Sequence, residues 1–514
     1  MFCLSFSIDK AYYHSENTEF IREIMPYKKI SIACIGLSIL ALSLGAKEAK
    51  PKRTLKSNYQ LIYNIQPEHV NDFSEMFRQG KIYGRLRSNS FYYMENANTK
   101  VDNSYFVSGL GGSLVYKSAV FKHFDVSMAM YYSKSFLNVE PNAVSKLRAG
   151  KDTLNRLDYL NDAKSSMATI GEAYIRYRGL WDSGIRVGRQ IIETFYTKSN
   201  DSKMIPNTFD GMTLCSRILP DTAIKVSYIQ GQKLRDHHNF HSVFAYGDSS
   251  SSTLLNPQWS ENDDSVMHKG LTFSSLKNAG KSTNAPLLVG DMHNESFEDL
   301  RIDSSFYLVP KLLGQIMLEA NYQFDFDGFS LSPAFRYIRQ FDQGAGAIGG
   351  ASYQNDSTGY RNSNSLDSQM IAGKVVAHID DYTFNLAYSK IFDEADLITP
   401  WRGFPTSGYT RSMGRYNWRA NTQSYRIEMV HNANATASYN DLFTQASILY
   451  TNGDDSKKGT HVRDELYYYL GFAQNIPNLD NIQWRLRLGY TQYLDSKESQ
   501  YNNLDSRLEL NYLF

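Results

Sequence analysis

The sequence predicts an all-β chain folded as a transmembrane antiparallel β-barrel, with short periplasmic turns at one end and long extracellular loops at the other. Three observations predict it. Aromatics make up 14% of the chain, with 37 Tyr and 28 Phe, yet the mean hydropathy is only −0.44. Several segments of membrane-crossing length alternate apolar with polar residues. A secretory signal stands near the start. A soluble core this rich in large rings would be more hydrophobic overall. A barrel resolves the tension, because alternate strand residues face lipid and a polar lumen, and aromatic girdles at the membrane interfaces use the surplus of Tyr and Phe.

Met25-Pro26-Tyr27-Lys28-Lys29 supplies a basic start, residues 30–44 an apolar run, and Gly45 and Ala46 the small residues of a cleavage site. Cutting is expected after Ala46, or after Gly45 because Leu44 is imperfect three positions back. The apolar run is short for a spanning helix of about 20 residues. Residues 1–24 read as a non-native upstream extension, with translation expected to start at Met25. Residues 25–46 are then a signal peptide, 47–80 a polar lead-in with a helical turn around Val70 to Phe77, and 81–514 the barrel. The net charge of +1 gives no reason to expect nucleic acid as a partner. No other segment approaches the length of a transmembrane helix, so a membrane-embedded chain has to cross as a closed barrel.

The strands follow from period-two alternation. Phe124, Val126, Met128, Met130 and Tyr132 are apolar, against Asp125, Ser127 and Ala129. Ile316, Leu318, Ala320 and Tyr322 alternate with Gln315, Glu319, Asn321 and Gln323. Phe384, Leu386 and Tyr388 alternate with Asn385, Ala387 and Ser389, and Trp484, Leu486, Leu488 and Tyr490 with Arg485, Arg487, Gly489 and Thr491. A soluble sandwich would rarely set two arginines opposite so apolar a face. Short turns are expected at 181–184, 325–328 and 478–481. Long polar stretches are expected at 134–168, 190–221, 232–300, 341–368, 391–422 and 452–462. A mature chain of roughly 470 residues has room for roughly 16 to 20 strands, enough for an aqueous lumen. At the C-terminus Leu508, Leu510, Tyr512 and Phe514 alternate with Arg507, Glu509 and Asn511. Such a closing strand, ending on an aromatic ring, resembles the signal by which outer-membrane barrels are recognised, so the barrel-assembly machinery is an expected partner through those four residues.

Phe77-Arg-Gln-Gly-Lys-Ile-Tyr-Gly-Arg-Leu-Arg87 resembles the opening of the OprD family of outer-membrane porins. Val187-Gly-Arg-Gln-Ile191 followed by Met204-Ile-Pro-Asn-Thr-Phe-Asp-Gly211 is similar to the same family, as are Ala395 to Pro405 and Asn421 to Tyr425. The resemblance covers most of the chain after about residue 70. It implies a barrel of about eighteen strands, a loop near 190–221 folded inward to narrow the pore, and passive diffusion of small hydrophilic solutes, with carboxylates preferred. It also implies a row of basic side chains guiding the solute. The length and polarity of 232–300 depart from the family.

Strand parity nominates that row. Arg176 and Arg178 alternate with Ile175 and Tyr177, Arg186 lies between Ile185 and Val187, and Arg336 between Phe335 and Tyr337. Arg485 and Arg487 show the clearest alternation. Arg411, Arg415 and Arg419 share one parity at a loop, and Arg426 follows in the next strand. Guanidinium suits a carboxylate because it stays charged and binds in a fork. The bland alternative is that each arginine pairs with a lumen acid and merely hydrates the wall. Glu193, Asp201 and Asp210 would be the opposing acids of the inward loop. His237, His238 and His241 lack further ligands at metal-site spacing. No G-x-S-x-G, P-loop or H-E-x-x-H pattern occurs, so neither an enzyme nor a cofactor or metal is expected. The permeant would pass a monomer or a trimer. The competing reading is a structural or adhesive barrel acting through its long loops.

Overall fold

The computed structural model describes residues 53–65, 68–95, 104–138, 153–248, 267, 270–353, 356–433, 439–457, 463–495 and 501–514. The expected upstream extension and signal peptide lie outside the described residues. Eighteen strands form the wall of one closed barrel. They are β1 (Lys81–Glu95), β2 (Ser104–Lys117), β3 (Phe124–Asn138), β4 (Ser166–Leu180), β5 (Ser183–Gln190), β6 (Thr208–Ser216), β7 (Thr222–Lys233), β8 (Leu287–Phe297) and β9 (Leu300–Val309). There follow β10 (Leu313–Tyr322), β11 (Phe329–Asp342), β12 (Ser368–Ile379), β13 (Tyr382–Ile391), β14 (Gln423–His431), β15 (Phe443–Asn452), β16 (Glu465–Ile476), β17 (Leu479–Tyr493) and β18 (Asn503–Leu513). Each is antiparallel to its sequence neighbours, and β18 closes on β1 from Asn503↔Glu95 to Leu513↔Arg85. Closure leaves no wall strand with an unpaired edge, which lipid would not tolerate.

Alternation sets the two faces of the wall. On β1, Ile82 and Leu86 point outward while Tyr83, Arg85, Arg87 and Asn89 are buried within. Phe124, Met128, Met130 and Tyr132 of β3 are exposed, as are Ile316, Leu318 and Tyr322 of β10. Leu508, Leu510 and Tyr512 of β18 join this outer face. Short turns join the strands at one end. Asp380 and Asn478 take the left-handed conformation there, with φ of 51° and 63°, which Asp and Asn tolerate better than other side-chain-bearing residues.

Two of the expected long stretches contain wall strands. β6 lies inside 190–221, so the inserted loop is shorter, 191–207, and Asp210 belongs to the wall. A register shift between Asp210 and Gly211 breaks the alternation that would have marked this strand. β8 lies inside 232–300, and its outward row of Leu288, Gly290, Met292 and Asn294 is too weakly apolar to read as lipid-facing. The lead-in holds a short helix, α1 (Phe73–Arg78), close to the expected turn. Asp72 caps it by accepting from the Ser74 and Glu75 amides. Before α1 an unexpected hairpin pairs Arg53–Leu55 with Leu61–Tyr63. No helix among the described residues is long and apolar enough to cross a membrane.

Candidate functional site: a lumen narrowed by inserted segments

The lumen is narrowed by segments that leave the wall and pack inside it. The first is the 191–207 loop between β5 and β6. Its Phe195 amide donates to both Asp291 carboxylate oxygens, at 3.1 and 2.9 Å. The Lys225 ammonium donates to the Glu193 carbonyl at 2.5 Å. The Glu193 carboxylate turns back to accept from the Ser199 amide at 2.8 Å. At the loop's far side Asp201 is buried between Arg85 and Arg87 of β1, 2.9 Å from Arg87. Arg87 also donates to the Asp201 and Lys203 carbonyls. The loop is thus tied to β1 and β8 through charged groups.

The second insert is 392–422, between β13 and β14. Trp401 is fully buried and donates from Nε1 to the Val243 carbonyl at 2.6 Å. Lys198 and Gly403 amides donate to the Trp401 and Tyr196 carbonyls, each at 3.0 Å, which zips the two inserts together. Gly403 is required by close approach: a Cβ there would lie 2.1 Å from the Phe195 carbonyl oxygen. Side chains from both inserts join one apolar cluster that includes Tyr307, Leu397 and Trp418.

Every nominated arginine on a wall strand has the inward parity expected of it. Their surroundings differ. Arg176 and Arg178 share the single carboxylate of Asp125, each at 2.9 Å. Arg336 is bound to Glu319 and donates to the Pro405 and Ser407 carbonyls at 2.8 and 2.6 Å, so it holds the second insert. Arg426 pairs with Glu428 and donates to the Tyr409 carbonyl. In the insert, Arg415 meets Glu465 at 2.9 Å and Arg419 meets Asp396 at 3.0 Å. Arg186 lies over the Tyr174 ring, 4.6 Å from its centroid. It lines a cavity of about 70 Å³ with Lys117, Glu172, Arg176, Glu193 and Lys225. Asp210 pairs with Arg189 on the neighbouring strand at 3.3 Å.

Arg485 and Arg487 belong to a different arrangement. Register places Arg487 opposite Arg507, Arg485 opposite Glu509, and Asn511 opposite Arg87. At about 3.3 Å per residue along the strands, these positions make a staircase of guanidinium groups across β17, β18 and β1. Of its five arginines, Arg85, Arg87, Arg487 and Arg507 pair with the carboxylates of Asp201, Glu509 and Asp505, and Arg485 donates to the Gln483 side chain at 3.3 Å. Among the described residues, Nε and Nη2 of Arg487 have no hydrogen-bond partner, nor do Nε and Nη1 of Arg411. Arg411 instead lies over the Phe404 ring at 4.5 Å. Three members were not nominated from the sequence, although the signal was there: Arg85 and Arg87 flank outward Leu86, and Arg507 precedes outward Leu508.

The histidines do not converge. His237 Nδ1 and His241 Nε2 are 2.7 Å apart, whereas His238 turns away to Asp158, also at 2.7 Å. Burial pushes the His241 imidazole down to about 4, so it adds no charge at neutral pH. Among the described residues no group of three or more His, Cys, Asp or Glu is placed to hold a metal ion.

No family model and no curated protein matches the chain. Solved structures do. OccK8 (OprE) of Pseudomonas aeruginosa superposes with a TM-score of 0.63 at 15% identity, over 85% of this chain and 99% of that one. OccAB3 of Acinetobacter baumannii gives 0.62 at 15%, over 84% and 99%. OpdK of P. aeruginosa, in a structure with vanillate, gives 0.60 at 13%, over 84% and 98%. The chain has the fold of these proteins, and the resemblance to OprD-type porins read from its sequence agrees with that fold.

Proposed function

We propose that the chain is an outer-membrane porin through which small hydrophilic solutes, carboxylates preferred, diffuse without energy input. The observation that carries this reading is Arg485 and Arg487 on the inner face of β17, the members of the staircase least engaged by acids: Glu509 lies 3.9 Å from Arg487 and Arg485 donates to Gln483, whereas Arg85, Arg87 and Arg507 are paired closely with Asp201, Glu509 and Asp505. A pore needs a narrow place and charges arranged along it rather than bond-making chemistry. The 191–207 loop supplies the first and the staircase the second. Two neighbouring guanidinium groups such as Arg485 and Arg487 let an anion exchange one charge-assisted contact for the next without being held too tightly to leave. OpdK, which shares the fold, was crystallised with the carboxylate vanillate, and that supports the preference. The short turns then face the periplasm and the long loops the outside. The signal peptide delivers the chain, and the closing strand presents Leu508, Leu510, Tyr512 and Phe514 to the assembly machinery.

The test is current through planar bilayers containing the protein expressed from Met25. Stepwise conductance, with a reversal potential showing anion preference in a salt gradient, is the expected result. A folded barrel that never conducts would favour the adhesive alternative. Deleting residues 249–266, within the long polar stretch 232–300, should then abolish surface binding.

A further inference from the structure

Residues 53–63 were expected to be a plain polar lead-in, and they lie inside the barrel instead. Their hairpin has only three paired positions, Arg53↔Tyr63, Thr54↔Ile62 and Leu55↔Leu61, and so short a ribbon is not stable by itself. Its order comes from the wall and the constriction loop. Leu55 and Leu61 pack with Tyr83, Val115, Tyr131, Met204 and Ile205. Tyr63 stacks on Tyr83 with ring centroids 5.2 Å apart. At the tip, the Asp201 amide donates to the Asn58 carbonyl at 3.1 Å. Arg85 donates to the Tyr59 carbonyl at 2.9 Å.

The tip residue is the informative one. Tyr59 has a φ of 70°, a conformation an L-residue adopts only where its surroundings hold it there. Its ring lies 3.8 Å from the Arg485 guanidinium and 5.2 Å from that of Arg487. It therefore covers two members of the staircase with a π-face, which attracts cations without neutralising them. With the tip seated, Arg485 and Arg487 are only 8% and 7% exposed, so a solute carboxylate does not reach their in-plane N–H donors.

We propose that residues 53–63 are a tethered plug, with Tyr59 seated on Arg485 and Arg487 as an internal competitor of the entering anion. The plug rests on the porin reading above. It lies between β1, β17 and the Asp201 corner of the constriction loop, so its withdrawal would both widen the lumen there and uncover the two arginines. Its marginal hairpin lets it leave as one unit, and its chain connection to α1 and β1 lets it return.

The experiment compares the full chain with a deletion of residues 53–63, with Tyr59→Ala and with Tyr59→Phe, in planar bilayers. Correct folding of each is checked by heat-modifiable gel migration. The deletion should raise single-channel conductance and remove long closures, and Tyr59→Ala should shift both the same way. Tyr59→Phe, which keeps the ring, should behave as the parent. If the plug is seated about nine-tenths of the time, vanillate should block Tyr59→Ala roughly tenfold more tightly. Equal conductance, closures and block in parent and deletion would overturn the plug and leave the porin intact. Silence in both would overturn the pore reading and the plug with it.

Discussion

Arg336 on β11 and Arg487 on β17 share the same inward parity, and the structure surrounds them very differently. Arg336 is enclosed by Glu319, the Pro405 and Ser407 carbonyls and the rings of Phe195 and Tyr409. Arg487 has Glu509 at 3.9 Å and two nitrogens without a hydrogen-bond partner among the described residues. Alternation tells which way a side chain points; the acids and carbonyls brought to it from elsewhere decide whether it is a fastener or a place for a solute. A guanidinium that already forks onto a carboxylate and two carbonyls has little left to offer a passing anion.

Substitutions should separate the two kinds of arginine. The largest effect is expected for Arg336→Ala, which leaves Glu319 buried without its guanidinium and unties the second insert. Losing one partner of a buried pair costs about 3–5 kcal/mol, so the midpoint of heat-modifiable migration should fall clearly and the channel should become noisier. An unchanged midpoint would place Arg336 with Arg487. Gly403→Ala should come next, because its Cβ forces Phe195 and Tyr196 of the constriction loop away from 392–422. Overpacking of this kind costs about 1–3 kcal/mol. It should raise conductance while every arginine stays in place, and conductance equal to the parent would show that the two inserts do not set the bore together. Arg487→Ala should scarcely alter the melting midpoint yet weaken carboxylate block. One charge-assisted contact is worth about 1.5–3 kcal/mol, or at least about tenfold in block.

The wall was legible because lipid on one side and water on the other impose a period of two that few soluble folds sustain. Wherever that contrast was strong, as in Phe124 to Tyr132 or Trp484 to Tyr490, strand and facing followed directly. It failed at β8, whose outward Gly290 and Asn294 carry little apolar signal, and at β6, where the register shift at Asp210 interrupts the pattern. The inserts were less legible for a different reason. Whether residues 53–63 or 392–422 lie inside depends on contacts with distant parts of the chain, such as Tyr59 with Arg485 or Trp401 with Val243. Arg426 and Arg419 carried the right charge, but Glu428 and Asp396 answer it, and a single sequence does not show which acid will meet which base.

The most direct test of the arginine staircase is vanillate block of single-channel current, measured side by side in the parent and in Arg485→Ala/Arg487→Ala. The expected result is a conducting double variant in which block is at least about tenfold weaker, each lost contact being worth about 1.5–3 kcal/mol. Block of equal strength in both channels would contradict it.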